Sequence, residues 1–569
     1  MGGVSSVTFG KQSICRAGET RSASHAPGFD FRPIWGTVMV PRADHVSTFQ
    51  HHFTIIYTCK SSIVICHRSI LSRNELLDIR CLRLVRQLLG SKYIWGPDEP
   101  AENQEFHDWK DFLQWEVQRR HNAEFGKPVS PSVDGVFVCV LDEQHREVVK
   151  ALAPLKLHIL CEKPLATTLR DCVDIYASQL PRPRNGFQET VFSIGHVLRY
   201  SPHNMLLREL VREQQVIGEI LSMEHTEPVG WWHFSHSGNW RRESKTAPSL
   251  LTKSCHDIDF LLWLLCSPGQ AQRDPPHLPS HLASTGSLKQ FRKVRKPPAA
   301  GKATNCLSCP NQQTCDFSAV KIYHDKQLAQ GNTDWPVNIV NPEIETCYRT
   351  QGPDAAKQML FQTLAEDYDS DTNDDEIAGR PWYGRCVWDA ENDVCDDQFV
   401  TITWEDDPLP SEADPQRALL NRGAKTANFH MIAQTEKQCE RRGRIYGTKG
   451  EIAYDSKTIT VYDFATESSR EFHPHQPGGG HGGGDAGLAR QFVKAIDAVK
   501  NHGVPVADAQ AEYVGCTLEE IIRSHAFVFA AEEARREKKV VDWSEWWKVR
   551  VETMLRDLQK VQGADSPMS

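Results

Sequence analysis

The sequence predicts an α/β protein: a parallel-sheet domain followed by an α/β domain built on a large, mostly antiparallel open sheet. Three observations carry this. Val136 to Leu141 is an unbroken apolar run rich in β-branched residues, as expected of a strand buried on both faces. Arg146 to Leu155 then spaces Val148, Val149, Leu152 and Leu155 near helical intervals, and the apolar run Leu157 to Cys161 follows; strand, helix and strand make one βαβ unit, normally right-handed. Strand-like runs from Gln398 onward are joined by links too short for parallel crossovers.

In chain order, residues 1–75 stay unassigned, although Thr54–Tyr57 and Ser62–Cys66 have strand composition. Residues 76–198 form the first domain. Trp109, Phe112, Leu113, Trp115 and Val117 predict a helix over Phe106–Arg120. Thr168 with Asp171 predicts a cap opening a helix through Tyr176, and Val191–Ile194 is a further strand. The second domain, 199–545, starts with a helix over Asn204–Gln214. Its strands are read at Gly218–His225, Gln398–Trp404, Ala424–Ala433, Gly443–Tyr446, Gly450–Tyr454 and Thr458–Tyr462, with Gly447–Gly450 as a hairpin turn. Two insertions interrupt it. Residues 267–303, rich in Pro, Ser, His, Lys and Arg, read as a disordered loop. Residues 365–376 carry seven acidic residues and read as a solvated acidic loop rather than a calcium loop. Asp485 is read as capping a helix through Ile496, Ala511–Glu537 as a long helix, and 546–569 as a tail.

A net charge of −9 argues against a general nucleic-acid binder. No run of 18 apolar residues exists, so no membrane span is expected. The N-terminus lacks an apolar signal core. Most of the 17 cysteines stand singly in apolar runs, as Cys139, Cys161, Cys255 and Cys266 do, which fits reduced core thiols and a cytoplasmic location.

Glu162-Lys163-Pro164 follows the second strand of the βαβ unit, at the carboxyl end where such sheets bind ligands. The lysine is either a solvated loop charge or a positioned cation. Together with the downstream motifs, the tripeptide resembles the Gfo/Idh/MocA oxidoreductases from about residue 93 to 541. That resemblance implies a Rossmann domain holding NAD or NADP, a sugar, cyclitol or related alcohol as substrate, and a C-terminal sheet with one face toward the active site and the other available for a homo-oligomer. It places Val140, His145, Glu162, Lys163 and Pro164 at the cofactor.

Oxidising an alcohol requires a base for the hydroxyl proton and a cation for the developing alkoxide. His256 is the candidate base, because histidine titrates nearest neutral pH; the competing reading is a capping or core histidine. The resemblance implies a catalytic histidine here, with an Asp four residues earlier in many members. This chain has Thr252 there and Lys253 next, so no aspartate couples to His256 from that position. Lys163 is the second catalytic candidate, as a charge orienting hydroxyl and nicotinamide. Lys253 and Asp259 flank His256 as substrate candidates. His196, Arg199 and Tyr200 follow a strand and are read either as cleft-lining or as interdomain bridges. Trp240 and Arg241, in the aromatic loop after Trp231, are further substrate candidates. His481–Asp485 is glycine-rich and is read as a close-approach loop near the cleft, not as a phosphate loop.

A G-x-G-x-x-G turn, whose glycines would admit the pyrophosphate, is not found in the N-terminal part. Either that loop has been lost or the first segment is a misread coding sequence; the second is favoured. The alternative function is a non-catalytic dinucleotide-sensing or regulatory member of the family. Finally, Cys306-x2-Cys309-x5-Cys315 suggests structural zinc. Cys386 and Cys347 are the candidate fourth ligands; the family resemblance, in the stretch Gly384-Arg385-Cys386, implies Cys386, and a metal would help a small polar insertion without a core to fold. Free loop thiols are the competing reading.

Overall fold

The computed structural model describes residues 51–59, 62–70, 105–106, 108–130, 132–180, 188–235, 242–244, 246–266, 274–477 and 480–564, with only the backbone for 51–70. Its first sheet contains β1 (His51–Cys59), β2 (Ser62–Ile70), β3 (Glu105–Phe106), β4 (Gly135–Cys139), β5 (His158–Cys161) and β6 (Phe192–Ile194), in the order β3-β2-β1-β4-β5-β6. β1, β4, β5 and β6 are parallel; β2 and β3 are antiparallel additions at one edge. The expected βαβ unit is present. β4 is buried along Gly135–Val138, and the helix His145–Leu152 buries Val148, Val149 and Leu152. The Thr168 hydroxyl accepts from the Asp171 N–H at 3.1 Å and opens the helix Leu169–Gln179.

Two N-terminal boundaries differ from the sequence reading. The helix predicted from Phe106 begins at Trp109, because Asp108 accepts from the Lys110 N–H at 2.9 Å and leaves Phe106 to pair in β3. The unassigned stretch 1–75 contributes β1 and β2 to the sheet. These pair antiparallel, from Cys59 with Ser62 back to His51 with Ile70.

The second sheet has nine strands. They are β7 (Ile220–Pro228), β8 (His281–Ser287), β9 (Asp397–Trp404), β10 (Lys425–Ile432), β11 (Arg442–Gly447), β12 (Gly450–Tyr454), β13 (Ile459–Asp463), β14 (Ser468–Phe472) and β15 (Val541–Asp542). Their order is β14-β13-β12-β11-β7-β10-β9-β8-β15. Only β7 and β10 pair in parallel. Alternation buries Gln398, Val400, Ile402 and Trp404 of β9 on one face. The β11–β12 turn needs glycine for close approach: a Cβ at Gly447 would lie 2.2 Å from the Ile217 carbonyl oxygen.

Four expectations are corrected in this domain. The stretch expected to be a disordered loop, 267–303, holds β8 among its described residues 274–303, and β8 pairs with β9 and β15, burying Leu282 and Ser284. The polar composition hid a strand whose partners are distant in sequence. The cysteine-bearing insertion does have a core: Ile322, Tyr323, Leu328, Val337, Ile344, Leu360 and Leu364 are buried together around the helices Ile344–Gln351 and Pro353–Ala365. The long helix starts at Leu518, not Ala511, because Gly515 at φ +61° breaks the chain direction and a Thr517–Glu520 capping box restarts it. The expected tail, 546–569, is structured through residue 564, with Trp546 and Val551 buried and a helix over Thr553–Ala564. The acidic stretch is mostly exposed, as expected, until Asn373 caps a short helix at Asp374–Gly379. No helix among the described residues is long and apolar enough to cross a membrane.

Candidate active site

β5 delivers Glu162-Lys163-Pro164 to the end of the first sheet. Tight backbone packing fixes this loop. A Cβ at Gly195, just after β6, would stand 2.8 Å from Glu162 Oε2 and 2.9 Å from the Lys163 nitrogen. The Leu165 N–H donates to His525 Nε2 at 2.9 Å, while His525 Nδ1 bonds the Ile521 carbonyl at 2.8 Å. His145 is fully buried, with Nδ1 2.8 Å from the Pro164 carbonyl and Nε2 3.3 Å from that of Val140. The ring thus sits between two strand-end loops, its hydrogen donated to one of the two carbonyls. Lys163 is buried and its Nζ donates to the Thr252 carbonyl at 3.0 Å. That bond spans the two domains and reaches the segment that carries His256.

His256 lies in the first turn of the helix Cys255–Leu265, inside a buried polar cluster. Its Nε2 is 2.6 Å from an Arg441 guanidinium nitrogen, 3.2 Å from Asp257 Oδ2 and 4.0 Å from Glu227 Oε1. Arg441 also donates to Asp257 Oδ1 at 2.8 Å and to Glu227 Oε1 at 2.7 Å. Ser254 donates to the other Glu227 oxygen at 2.5 Å. His225 lies between Asp257, at 3.0 Å, and the Tyr454 hydroxyl, at 2.7 Å. Burial alone would raise the Asp257 pKa, but the charges of Arg441 and His256 and the bond from His225 hold it well below the usual carboxylate range. Burial likewise works against the Arg441 charge, yet the two carboxylates hold its pKa above the ordinary value. His256 Nδ1 is buried without a hydrogen-bond partner. The His481 ring packs against His256, with centroids 5.6 Å apart.

Donor atoms of Glu227, His256 and Asp257 lie within 4.8 Å of one another, as a metal site would require. The Arg441 guanidinium already donates to both carboxylates and lies 2.6 Å from His256 Nε2. The cation that balances these carboxylates is therefore the arginine side chain.

Lys253 Nζ lies 3.4 Å from His233 Nε2 and 3.1 Å from Cys439 Sγ. Burial, and then the charges of Lys253 and Lys163, push the His233 pKa well below its ordinary value. Trp335 from the helical insertion packs on both Trp232 and His233. The other substrate candidates are placed differently. Arg199 makes a two-pronged bond to Asp259 at 2.7 and 2.8 Å, and also reaches the Gly515 carbonyl and Glu520. The Tyr200 hydroxyl donates to the Val514 carbonyl at 2.7 Å. His196 bonds Ser524 at 3.1 Å and stacks on His525, and burial pushes its pKa well down. These four residues are buried and hold helices together inside the protein, His196 across the two domains and Arg199, Tyr200 and Asp259 within the second. Trp240 and Arg241 lie outside the described residues.

The glycine-rich loop does provide close approach. A Cβ at Gly484 would stand 2.2 Å from the Val197 carbonyl oxygen. Asp485 is not the cap of the following helix, whose N-cap is Gly483; it sits in the first turn, 3.1 Å from His481 Nδ1. The residues the sequence reading missed are Glu227, Arg441, His225, Tyr454 and His233. Glu227 gave one usable signal, an acidic residue ending a strand amid apolar neighbours. Arg441 gave none, in the charged run Glu440-Arg441-Arg442.

The two ends of a dinucleotide site differ here. At the nicotinamide end, Lys163 and the buried, unpartnered Nδ1 of His256 fit a reacting group. At the phosphate end, β1 runs into the antiparallel β2 only three positions on, where a glycine turn and a helix N-terminus would be needed. Among the described residues, that end does not fit a pyrophosphate.

Residues 97–179 match the family GFO_IDH_MocA, described as "Oxidoreductase family, NAD-binding Rossmann fold". A 136-residue stretch is 32% identical to 2,7-anhydro-N-acetylneuraminate hydratase of Escherichia coli, covering 24% of this chain and 34% of that protein. A 151-residue stretch is 28% identical to inositol 2-dehydrogenase 2 of Saccharopolyspora erythraea, covering 26% and 40%. The matched segments thus span between a third and two fifths of those relatives' own lengths. Among solved structures, an inositol dehydrogenase homolog from Azotobacter vinelandii, complexed with NADH and myo-inositol, covers 81% of this chain and 88% of its own. Its TM-score is 0.45, at 11% identity. The Gfo/Idh/MocA resemblance read from Glu162-Lys163-Pro164 holds for the matched segment, which is similar to the Rossmann fold of that oxidoreductase family.

Proposed function

We propose that the cleft around Lys163 and His256 is the substrate end of an NAD(P)-dependent dehydrogenase acting on a hydroxyl of a sugar, cyclitol or related small molecule. The observation that carries this reading is the Lys163–Thr252 bond. It brings a cation from the first domain to the turn that bears His256, whose Nδ1 is buried without a hydrogen-bond partner. A bound nicotinamide would supply the hydride acceptor. His256 takes the hydroxyl proton at Nδ1 in the tautomer that carries its ring hydrogen on Nε2, directed to Asp257 Oδ2; Arg441 then donates to the two carboxylates, and these, against one guanidinium, stabilise the added charge. Asp257 thereby serves the orienting role that Thr252 cannot. Lys163 orients the hydroxyl and stabilises the alkoxide without any need to lose its proton. The relatives named for inositol and anhydro sugars support the substrate class, and the NAD-binding description of the matched family supports NAD as the first cofactor to test. Exposed Leu221 and Phe399 on the second sheet support a homo-oligomer through that face.

The antiparallel β1–β2 pairing favours one other reading, a non-catalytic family member. Steady-state assays with NAD and NADP over a panel of cyclitols, hexoses and anhydro sugars separate the two. Turnover should appear with one of them. It should fall on the order of 10²–10⁴-fold in His256→Ala with cofactor affinity nearly intact, whereas Lys163→Ala should lose both. Dinucleotide binding without turnover of any panel member would leave the regulatory reading standing.

A further inference from the structure

We propose that Cys306, Cys309, Cys315 and Cys386 hold a zinc ion that pins the helical insertion to the main body of the second domain. All four side chains line one cavity of about 20 Å³. A single water needs on the order of 10–15 Å³ by the same measure, so this is room for one atom-sized guest.

The backbone explains how residues so far apart in sequence meet there. Asn305 and Arg385 form an antiparallel bridge. On either side of it the Cys306 N–H donates to the Gly384 carbonyl at 2.8 Å, and the Cys386 N–H to the Thr304 carbonyl at 2.7 Å. Two tight turns present the remaining thiols: the Cys309 N–H reaches the Cys306 carbonyl at 3.4 Å, and the Cys315 N–H the Asn311 carbonyl at 2.9 Å. The cavity lining contains no imidazole and no carboxylate. An all-sulfur donor set selects a soft or borderline cation, and four thiolates around zinc leave no open position for chemistry. No three of these sulfurs lie within 4.8 Å of one another, so binding zinc at about 2.3 Å requires the thiolates to draw together onto the ion.

The position gives the metal a purpose other than replacing a missing core. The insertion packs its own core, and Cys306 is part of it. Cys386 belongs to the main core and Cys315 packs against that core. The thiols therefore straddle the seam between two independently packed bodies, where a metal replaces hydrophobic continuity. The same insertion supplies Trp335, which walls the aromatic pair Trp232 and His233.

The full chain, purified without chelator under reducing conditions, should contain about one zinc per molecule by elemental analysis. A thiol mercurial should release it. Cys309→Ser and Cys315→Ser should lose most of it, whereas Cys347→Ser should retain it, since Cys347 lies in the insertion core but not in the cavity lining. Zinc-free protein should be cut faster between residues 304 and 383 by limiting protease. Wild-type protein that neither carries zinc nor takes it up on dialysis overturns the proposal. So does unchanged zinc in Cys309→Ser, or an intact mass showing a disulfide among the four. The mercurial titration uses the unaltered chain, so it decides the matter even if the serine variants do not fold.

Discussion

The two ends of the first sheet's ligand edge have been treated very differently by this sequence. At β5 and β6, every position around Lys163 is over-determined: Gly195 admits the loop, His145 braces it, His525 bonds it, and Thr252 receives the lysine. At β1, the strand turns straight back into β2. The contrast teaches that substrate chemistry and cofactor affinity are separable in such a fold. The first depends on side chains converging between domains, the second on one backbone turn whose N–H groups face a phosphate.

The largest expected effect tests that contrast directly. Titrating NADH or NADPH by fluorescence should give a Kd on the order of 1 mM, about −4 kcal/mol, because the pyrophosphate has no glycine turn or helix N-terminus to bind. Micromolar binding would break the comparison and show that another segment supplies the phosphate site.

Next in size is the buried charge cluster on the intact side. Arg441→Ala leaves Glu227 and Asp257 buried against each other, at a cost of about 3–5 kcal/mol in chemical denaturation. A loss below about 1 kcal/mol would mean that water or a cation enters the cluster, and that Arg441 is not the cation that balances it.

A smaller effect should follow pH. Burial holds His525 at about 4, against an ordinary 6.5. Between those values the unfolded chain binds a proton that the folded one refuses, so stability falls as pH drops from about 6.5 to 4 and is fully present above that window. The bound on this contribution is about 3 kcal/mol at 1.36 kcal/mol per unit. Protonation also removes the acceptor for the Leu165 N–H, so the Lys163 loop should loosen in the same window. His525→Gln should flatten the pH dependence of thermal stability, and an unchanged slope would assign it to other groups.

Local pattern sufficed wherever a feature depends on neighbours in sequence. The βαβ unit, the Thr168 cap, the Gly447–Gly450 hairpin and the placing of Lys163 at a strand end all follow from periodicity or turn chemistry within a few residues. The strand β8 did not, because its polar, proline-flanked sequence is held by β9 and β15, more than a hundred residues away. The partners of His256 were hidden for the same reason. Glu227, in β7, and Arg441, just before β11, lie on either side of it in sequence, and neither has a local signature that separates a buried ion pair from a surface charge.

By itself, then, the sequence determined the fold class, the family of the matched segment, and the residue types available for a proton, a charge and a soft metal. Tertiary structure alone decided which of them meet. It turned Arg199, Tyr200 and Asp259 into an internal brace, gathered Cys306, Cys309, Cys315 and Cys386 around one cavity, and set Arg441 among the carboxylates beside His256. The physical reason is that burial fixes the meaning of a polar side chain. A charge removed from water must find its partner within hydrogen-bond reach, and that partner is chosen by packing between distant segments, not by spacing along the chain.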